Sequence, residues 1–289
     1  MSRHPAVVPA PGARDARSPT VVWAFAVTRT PPSEDTLVMT TAHEEGGPLR
    51  VLRAGSLCLV VQDVPAALFD ETALRERLET PDDLERCARA HHRGVEAASR
   101  AGTVVPLPMA TLYRGDLNAA RAVASREAAL ASLLDRLADR TEWAVKVHAA
   151  ETNAPLESAT DTGTGTGTGT GGRAYLSRAS ARRRARLDAR GKALAEAEAV
   201  DAELRRHAVA ATRHRPQSEQ LTGRRAPQLL NAAYLVDDAE RAAFAAALDR
   251  IGADGRHPAV EVSASGPWIP YSFARLDEES EHTEREDAP

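Results

Sequence analysis

Residues 142–148 read Glu-Trp-Ala-Val-Lys-Val-His, an alternation that puts Trp143, Val145 and Val147 on one face of an extended chain and Glu142, Lys146 and His148 on the other. A period of two is the mark of a half-buried strand. Upstream, Thr20-Val-Val-Trp-Ala-Phe-Ala-Val27 is entered through Pro19, is rich in β-branched and aromatic residues, and reads as a first strand. Leu49–Leu52 and Ser56–Val61 flank Ala54-Gly55, where glycine can take the positive φ of a tight hairpin. Asp63–Leu78 holds a short helix. Thr80-Pro-Asp-Asp-Leu84 opens a longer one, with an N-cap, proline at the first helical position and two acids against the helix dipole, reaching Arg100. Thr103–Met109, with its two prolines, suits an edge or bent strand. Asn118–Asp139 reads as one helix with Ala122, Ala129, Leu133 and Leu137 near helical spacing. With strand 142–148 closing this series, residues 20–150 are predicted to form a ferredoxin-like sheet domain with helices.

Beyond it, residues 151–172 contain a Thr-Gly repeat too poor in apolar atoms to offset the entropy of ordering it, and are expected to be a linker. Ala174 to about Arg213 reads as one long helix or a broken pair. Leu176, Leu187, Leu194, Ala197, Val200 and Leu204 spread over one side, and Gly191 is the expected irregularity. Leu229–Val236 is strand-like, Asp237-Asp238 caps a helix to Ile251, and Val260–Ala264 is a last strand. Residues 173–275 thus form a smaller α+β domain with a long helix, so the fold class is α+β in two domains. Residues 1–19 and the tail after Leu276, with seven acids against one arginine, are expected to be disordered.

A net charge of -4 supplies no overall positive field that would draw the chain to nucleic acid or an anionic membrane. No apolar run approaches the roughly 20 residues of a membrane helix, and the proline-containing N-terminus lacks a signal-peptide core. Cys58 and Cys87 form no CxxC pair and fall in a strand and a helix, which suits buried reduced thiols in a cytoplasm.

The chemical candidates are weak. Gly167–Gly172 satisfies GxGxxG only as an accident of the repeat, since no strand precedes it. Cys87 and His91 share a helix face, with His92 beside them, but two ligands do not make a site. The reading preferred for His91 is a partly buried histidine hydrogen-bonded to a loop. Arg178–Lys192, "RASARRRARLDARGK", concentrates seven basic residues. Asp188, Glu196, Glu198, Asp201 and Glu203 can pair along the same helix, and no aromatics interleave to stack bases. No serine lies in GxSxG and no cysteine has a credible His and Asn pairing. No catalytic residue, metal or cofactor is expected.

Gly266-Pro-Trp-Ile-Pro-Tyr-Ser-Phe273 concentrates three aromatics in an aromatic-poor chain. It reads as a turn after a strand, with Trp268, Tyr271 and Phe273 expected to bury about 150–250 Å² each as a core clasp on the second domain. The segment resembles the C-terminal G-P-W-P-P-Y-S-F signature of the GvpL/GvpF family of gas vesicle proteins. Pro106-Leu-Pro-Met-Ala-Thr-Leu-Tyr113 is similar to the family's P-L-R-F-G-T-x-F, with Arg89-Ala-His91 on the preceding helix. Similarity continues through Glu142–Val147 (Trp143), Gly172–Leu176 (Tyr175) and Leu230–Val236 (Asn231, Tyr234). Pro108-Met109-Ala110 departs from Arg-Phe-Gly, and Ile269 replaces the first of the two prolines. The signature residues carried over are Trp268, Pro270, Tyr271, Phe273, Pro106, Leu107, Trp143, Tyr175, Asn231 and Tyr234, with a structural or partner-contacting role.

The resemblance implies a non-enzymatic accessory or minor structural protein of gas vesicle formation. It would be cytoplasmic and associated with the vesicle. Its expected partners are the small hydrophobic shell protein and other accessory proteins, with no nucleic acid and no membrane. The competing reading is a regulatory module that binds a ligand or nucleic acid through the basic helix 178–192.

Overall fold

The computed structural model describes residues 19–150, 171–216, 226–253 and 255–276, with the backbone alone for 171–176 and 178. The expected disorder of 1–18 and 277–289, the linker reading of 151–170 and most of the GxGxxG match lie outside the described residues. The chain forms two compact units, Met1–Leu134 and Asp135–Pro289.

Strand β1, Thr20–Thr28, is buried from Val22 onward, and its near-continuous apolar run places it inside a sheet. The hairpin of β2 (Leu49–Ala54) and β3 (Leu57–Pro65) flanks it on one side; β4 (Val104–Pro106) and β5 (Leu112–Tyr113) pair with it on the other. The order is β2-β3-β1-β4, antiparallel throughout. Gly55 turns the hairpin with φ at 64°, and the Glu127 carboxylate accepts from Ser56 N and Oγ at 2.8 and 2.5 Å. A Cβ on Gly55 would lie 2.2 Å from that carboxylate.

Helix α1 (Glu34–Val38) falls where no helix was expected, α2 (Ala66–Phe69) and α3 (Glu71–Glu79) divide the stretch read as one short helix, and α4 (Pro81–Ser99) opens at Pro81 as expected. Thr80 takes the N-cap position of α4, but its side chain makes no cap bond. Cys87, Ala90, His91, Gly94 and Val95 line the buried face of α4. A Cβ on Gly94 would meet the Phe25 ring at 2.3 Å, so the missing side chain sets how closely helix and strand approach. Cys58 and Cys87 are buried free thiols.

Three further expectations are corrected here. The helix read over Asn118–Asp139 is two, α5 (Asp116–Ala124) and α6 (Glu127–Leu137), broken at Ser125, whose N–H closes the first on Arg121 O. The buried residues are Ala119, Val123, Leu130, Leu133, Leu134 and Leu137, while Ala129 is exposed. Strand β6, Arg140–Ala149, does not close the first sheet. It pairs antiparallel with β8 (Gln228–Asp237) and β9 (Val260–Trp268), so the second unit begins ahead of it, not after residue 150. Alternation fixes a strand's faces but says nothing of its neighbours.

The second sheet runs β7-β8-β6-β9, with β7 at Ala210–Arg213. Helices α7 (Gly171–Arg205) and α8 (Arg241–Ala253) cover one face, enclosing Val145, Val147, Val200, Leu204, Tyr234 and Phe244. The third correction concerns α7. It starts at Gly171, passes unbroken through the exposed Gly191 and ends at Arg205, because the next residues leave it to pair β7 with β8. Ala193, Ala197, Val200 and Leu204 are its buried residues, while Leu187 and Leu194 are exposed.

Candidate functional site

The signature segment is built on the end of β9. Glu142 of β6 faces Trp268 and Ala144 faces Ser265, so Gly266 and Pro267 together oppose Trp143, a bulge of one extra residue. Gly266 holds φ at 152°, and a Cβ there would lie 3.0 Å from both Glu142 O and the Trp143 ring. Only glycine fits that bend. The Gly266–Pro267 peptide is cis. The expected turn at Gly266 is therefore still strand; the chain turns at Pro270, which is buried, into a 3-10 turn over Tyr271–Phe273.

What pins this turn is a carboxylate. Glu142 was assigned to the solvated face of its strand, yet it is 8% exposed. Ser272 covers it, donating from N to Oε2 at 2.8 Å and from Oγ to Oε1 at 2.7 Å. Burial pushes the Glu142 carboxyl above the ordinary range, against the pull of these two bonds and of nearby His214. Arg136 Nη2 adds a bond to Phe273 O at 3.1 Å. The expected burial of the rings is corrected: Trp268 is 47% exposed, its Nε1 donating only to Ser265 Oγ at 3.3 Å, and Tyr271 and Phe273 are half-buried. The segment is a clasp, fastened by polar bonds, and its tryptophan is left at the surface.

Ser272, His214 and Glu142 are the residue types of a hydrolase triad, in a different arrangement. The serine proton goes to the carboxylate, and His214 Nε2, 3.2 Å from Ser272 Oγ, donates to the serine instead of deprotonating it.

The other signature residues whose side chains are described make contacts within the fold. Pro106 is buried in β4 opposite Ala26; Leu107 donates N–H to Phe25 O at 2.9 Å and accepts from His91 Nε2 at 3.0 Å. His91 Nδ1 accepts from Trp23 Nε1 at 3.1 Å, so both ring nitrogens are engaged within the fold, as the loop-bonded reading expected. Burial pushes His91 down to about 4, and burial does the same to His43, whose ring lies 4.2 Å from Trp23. Trp143 packs on Phe244 at 5.5 Å. Asn231 holds the 214–215 segment, accepting from His214 N at 2.7 Å and donating to Arg215 O at 3.1 Å. The Tyr175 side chain lies outside the described residues.

Tyr234 anchors a network that sequence reasoning missed. Its hydroxyl donates to Asp201 Oδ1 at 2.5 Å, and Arg205 and Arg213 donate to Oδ2 at 2.8 and 2.6 Å. Burial raises the Asp201 carboxyl, but the donors Tyr234, Arg213 and Arg205 outweigh it and hold it below the usual range. Burial and the Asp201 bond push the Tyr234 phenol up. The buried aspartate ties α7 to β7 and β8. A tyrosine and an aspartate 33 residues apart carry no joint signal in sequence.

Among the described residues no group of three or more potential metal ligands occurs, and no helix is long and apolar enough to cross a membrane.

The comparisons with known proteins cover the same span. The family model of the gas vesicle synthesis proteins GvpL/GvpF matches residues 21–275. Gas vesicle protein L of Streptomyces sp. (strain CB03234) is 39% identical over 265 residues, 91% of this chain and 96% of the relative. The crystal structure of GvpF from Anabaena sp. PCC7120 superposes with TM-score 0.61 at 16% identity, over 89% of this chain and 97% of the other. GvpF from Microcystis aeruginosa gives 0.57 at 16% identity, over 89% and 99%.

Proposed function

Because the chain belongs to the gas vesicle synthesis protein GvpL/GvpF family, we propose that it is an accessory protein of gas vesicle formation that binds the small hydrophobic shell protein during nucleation or growth. The observation that carries the reading is a family match over residues 21–275, through both units. The role is non-catalytic, exercised in the cytoplasm and at the vesicle alongside other gas vesicle proteins. The N-terminal unit is read as ferredoxin-like, which the sheet order β2-β3-β1-β4 supports.

A largely apolar subunit awaiting assembly needs a partner that covers it, and a sheet edge with an exposed aromatic suits that task. Strand β9 is such an edge. Among the described residues no strand pairs with its outer side, and Trp268 stands exposed at its end. We assign the shell-protein contact to this edge. Deleting the gene in a vesicle-forming host, with paralogous copies removed, is expected to abolish or stunt vesicles; a plasmid copy restores them, and a Trp268→Ala copy does so poorly. Normal vesicles in the deletion strain would contradict the role.

A further inference from the structure

Nothing among the described residues buries the first half of α7, although Arg186, Arg190 and Lys192 line one side of an open cavity whose other wall includes Ala149, Pro227 and Pro258. Serine, alanine and arginine alike are exposed at 177 and throughout 179–192, and burial begins at Ala193. At about 1.5 Å per residue the stretch from Gly171 to Lys192 makes an arm of roughly 33 Å. It presents Arg182, Arg183, Arg184, Arg186, Arg190 and Lys192 against one acid, Asp188. Among the described residues the one carboxylate within 4 Å of any of these six is Glu196, 3.8 Å from Lys192. The acids that were expected to neutralise this charge are engaged elsewhere: Glu198 and Asp201 with Arg213, and Glu203 with Arg206.

The complement to this charge lies in the same sequence. Residues 277–287, Asp-Glu-Glu-Ser-Glu-His-Thr-Glu-Arg-Glu-Asp, carry seven acids and one arginine, a net charge of -6 (7 − 1). Residues 178–192 carry seven basic residues and one acid, a net charge of +6 (7 − 1). Arm and tail root sit at opposite ends of the second sheet. Beta-strand register puts Val260 against Ala149 at one end and Trp268 against Glu142 at the other. Glu196 of α7 accepts from Ala259 N at the first end, and the arm continues outward from there. The last described residues before the tail are held at the second end, through Glu142 and Arg136. From that end to mid-arm is about 23 Å along β6 plus about 18 Å of helix. Eleven extended residues reach at most about 40 Å, so a tail folded back on its own arm would exhaust its acids on the way.

The geometry points to a contact between copies: the basic arm of α7 takes the acidic 277–287 segment of a second copy of this chain. Acceptor and donor lie at opposite ends of the unit, so two copies laid antiparallel exchange arm and tail reciprocally in a closed pair, and copies laid head-to-tail extend into a chain. It does not rest on the shell-protein reading.

The test is sedimentation velocity of the full chain over a concentration series at about 0.05 and 0.5 M salt, which bracket weak and strong screening. The average mass of the wild type is expected to rise with concentration at low salt and to fall to the monomer at high salt. Two full-length variants are then compared. One carries Glu at Arg182, Arg183, Arg184, Arg186 and Arg190; the other carries Lys at Glu278, Glu279, Glu281, Glu284 and Glu286. Each alone should stay monomeric with unchanged circular dichroism, and an equal mixture should associate again, because arm and tail charges are then both complementary. A wild type that is monomeric at every concentration, or variants that associate as it does, overturns the proposal. A mixture that stays monomeric, with duplex DNA bound by the wild type and not by the arm variant, assigns the arm to nucleic acid and overturns it too.

Discussion

Glu142 shows how one residue can be misread from a correct pattern. Its alternation with Trp143 is real, but the face it occupies is covered by Ser272, so a carboxylate meant for water becomes the fastening of the signature turn. Glu142→Ala is expected to cost about 2–4 kcal/mol in urea unfolding at neutral pH, from two lost charge-assisted bonds. Glu142→Gln, which keeps an acceptor, should cost less. A carboxyl whose pKa is raised on folding contributes stability that is present below its unfolded pKa and lost as pH rises through the folded one. His43 and His91 act oppositely: lowered from 6.5 to about 4, they contribute stability above 6.5 that is lost as pH falls toward 4. Each is worth on the order of 3 kcal/mol at most, and there are two, so net stability should fall from pH 7 to pH 4.5. The Glu142 contribution appears only as the difference between wild type and Glu142→Gln, whose stability should climb more steeply than that of the wild type as pH rises from 4.5 to 7. Wild-type stability that is flat across this range would contradict the neutral, buried state of both histidines.

Elements were legible wherever local chemistry decides them. Pro81 and the acids behind it opened α4, Gly55 turned the β2-β3 hairpin, and the alternation at 142–148 gave a strand. What was not legible depends on partners far along the chain. The pairing of β6 with β8 and β9 involves residues 80 (His148 to Gln228) to 126 (Glu142 to Trp268) positions away, and the α5-α6 break falls in a run with no glycine or proline to announce it. Gly94 belongs to this class: the sequence shows a glycine inside a helix, and only the packing on Phe25 explains it. Gly94→Ala replaces a poor helix former with a good one, worth about 1 kcal/mol in favour. The clash at 2.3 Å should outweigh that gain, leaving a net loss of roughly 1–3 kcal/mol in thermal or urea unfolding. A stabilised variant would mean that α4 can move off β1 without cost.

At the scale of the whole molecule, family and fold class were legible because the signature motifs recur in order through both units, and mixed α+β architecture follows from the element types. The surface proposed for the partner was not. Aromatic scarcity argued for buried rings at 268–273, whereas Trp268 is exposed at the end of an edge strand, a position that suits a partner better than a core. The direct measurement is a titration of the full chain against purified shell protein over a salt series, with Trp268→Ala beside the wild type. Binding through the backbone of a strand edge and an exposed tryptophan should be saturable, vary less than about tenfold between 0.05 and 0.5 M salt, and weaken markedly in Trp268→Ala at unchanged thermal stability. Absence of binding by the wild type at any salt would contradict the account.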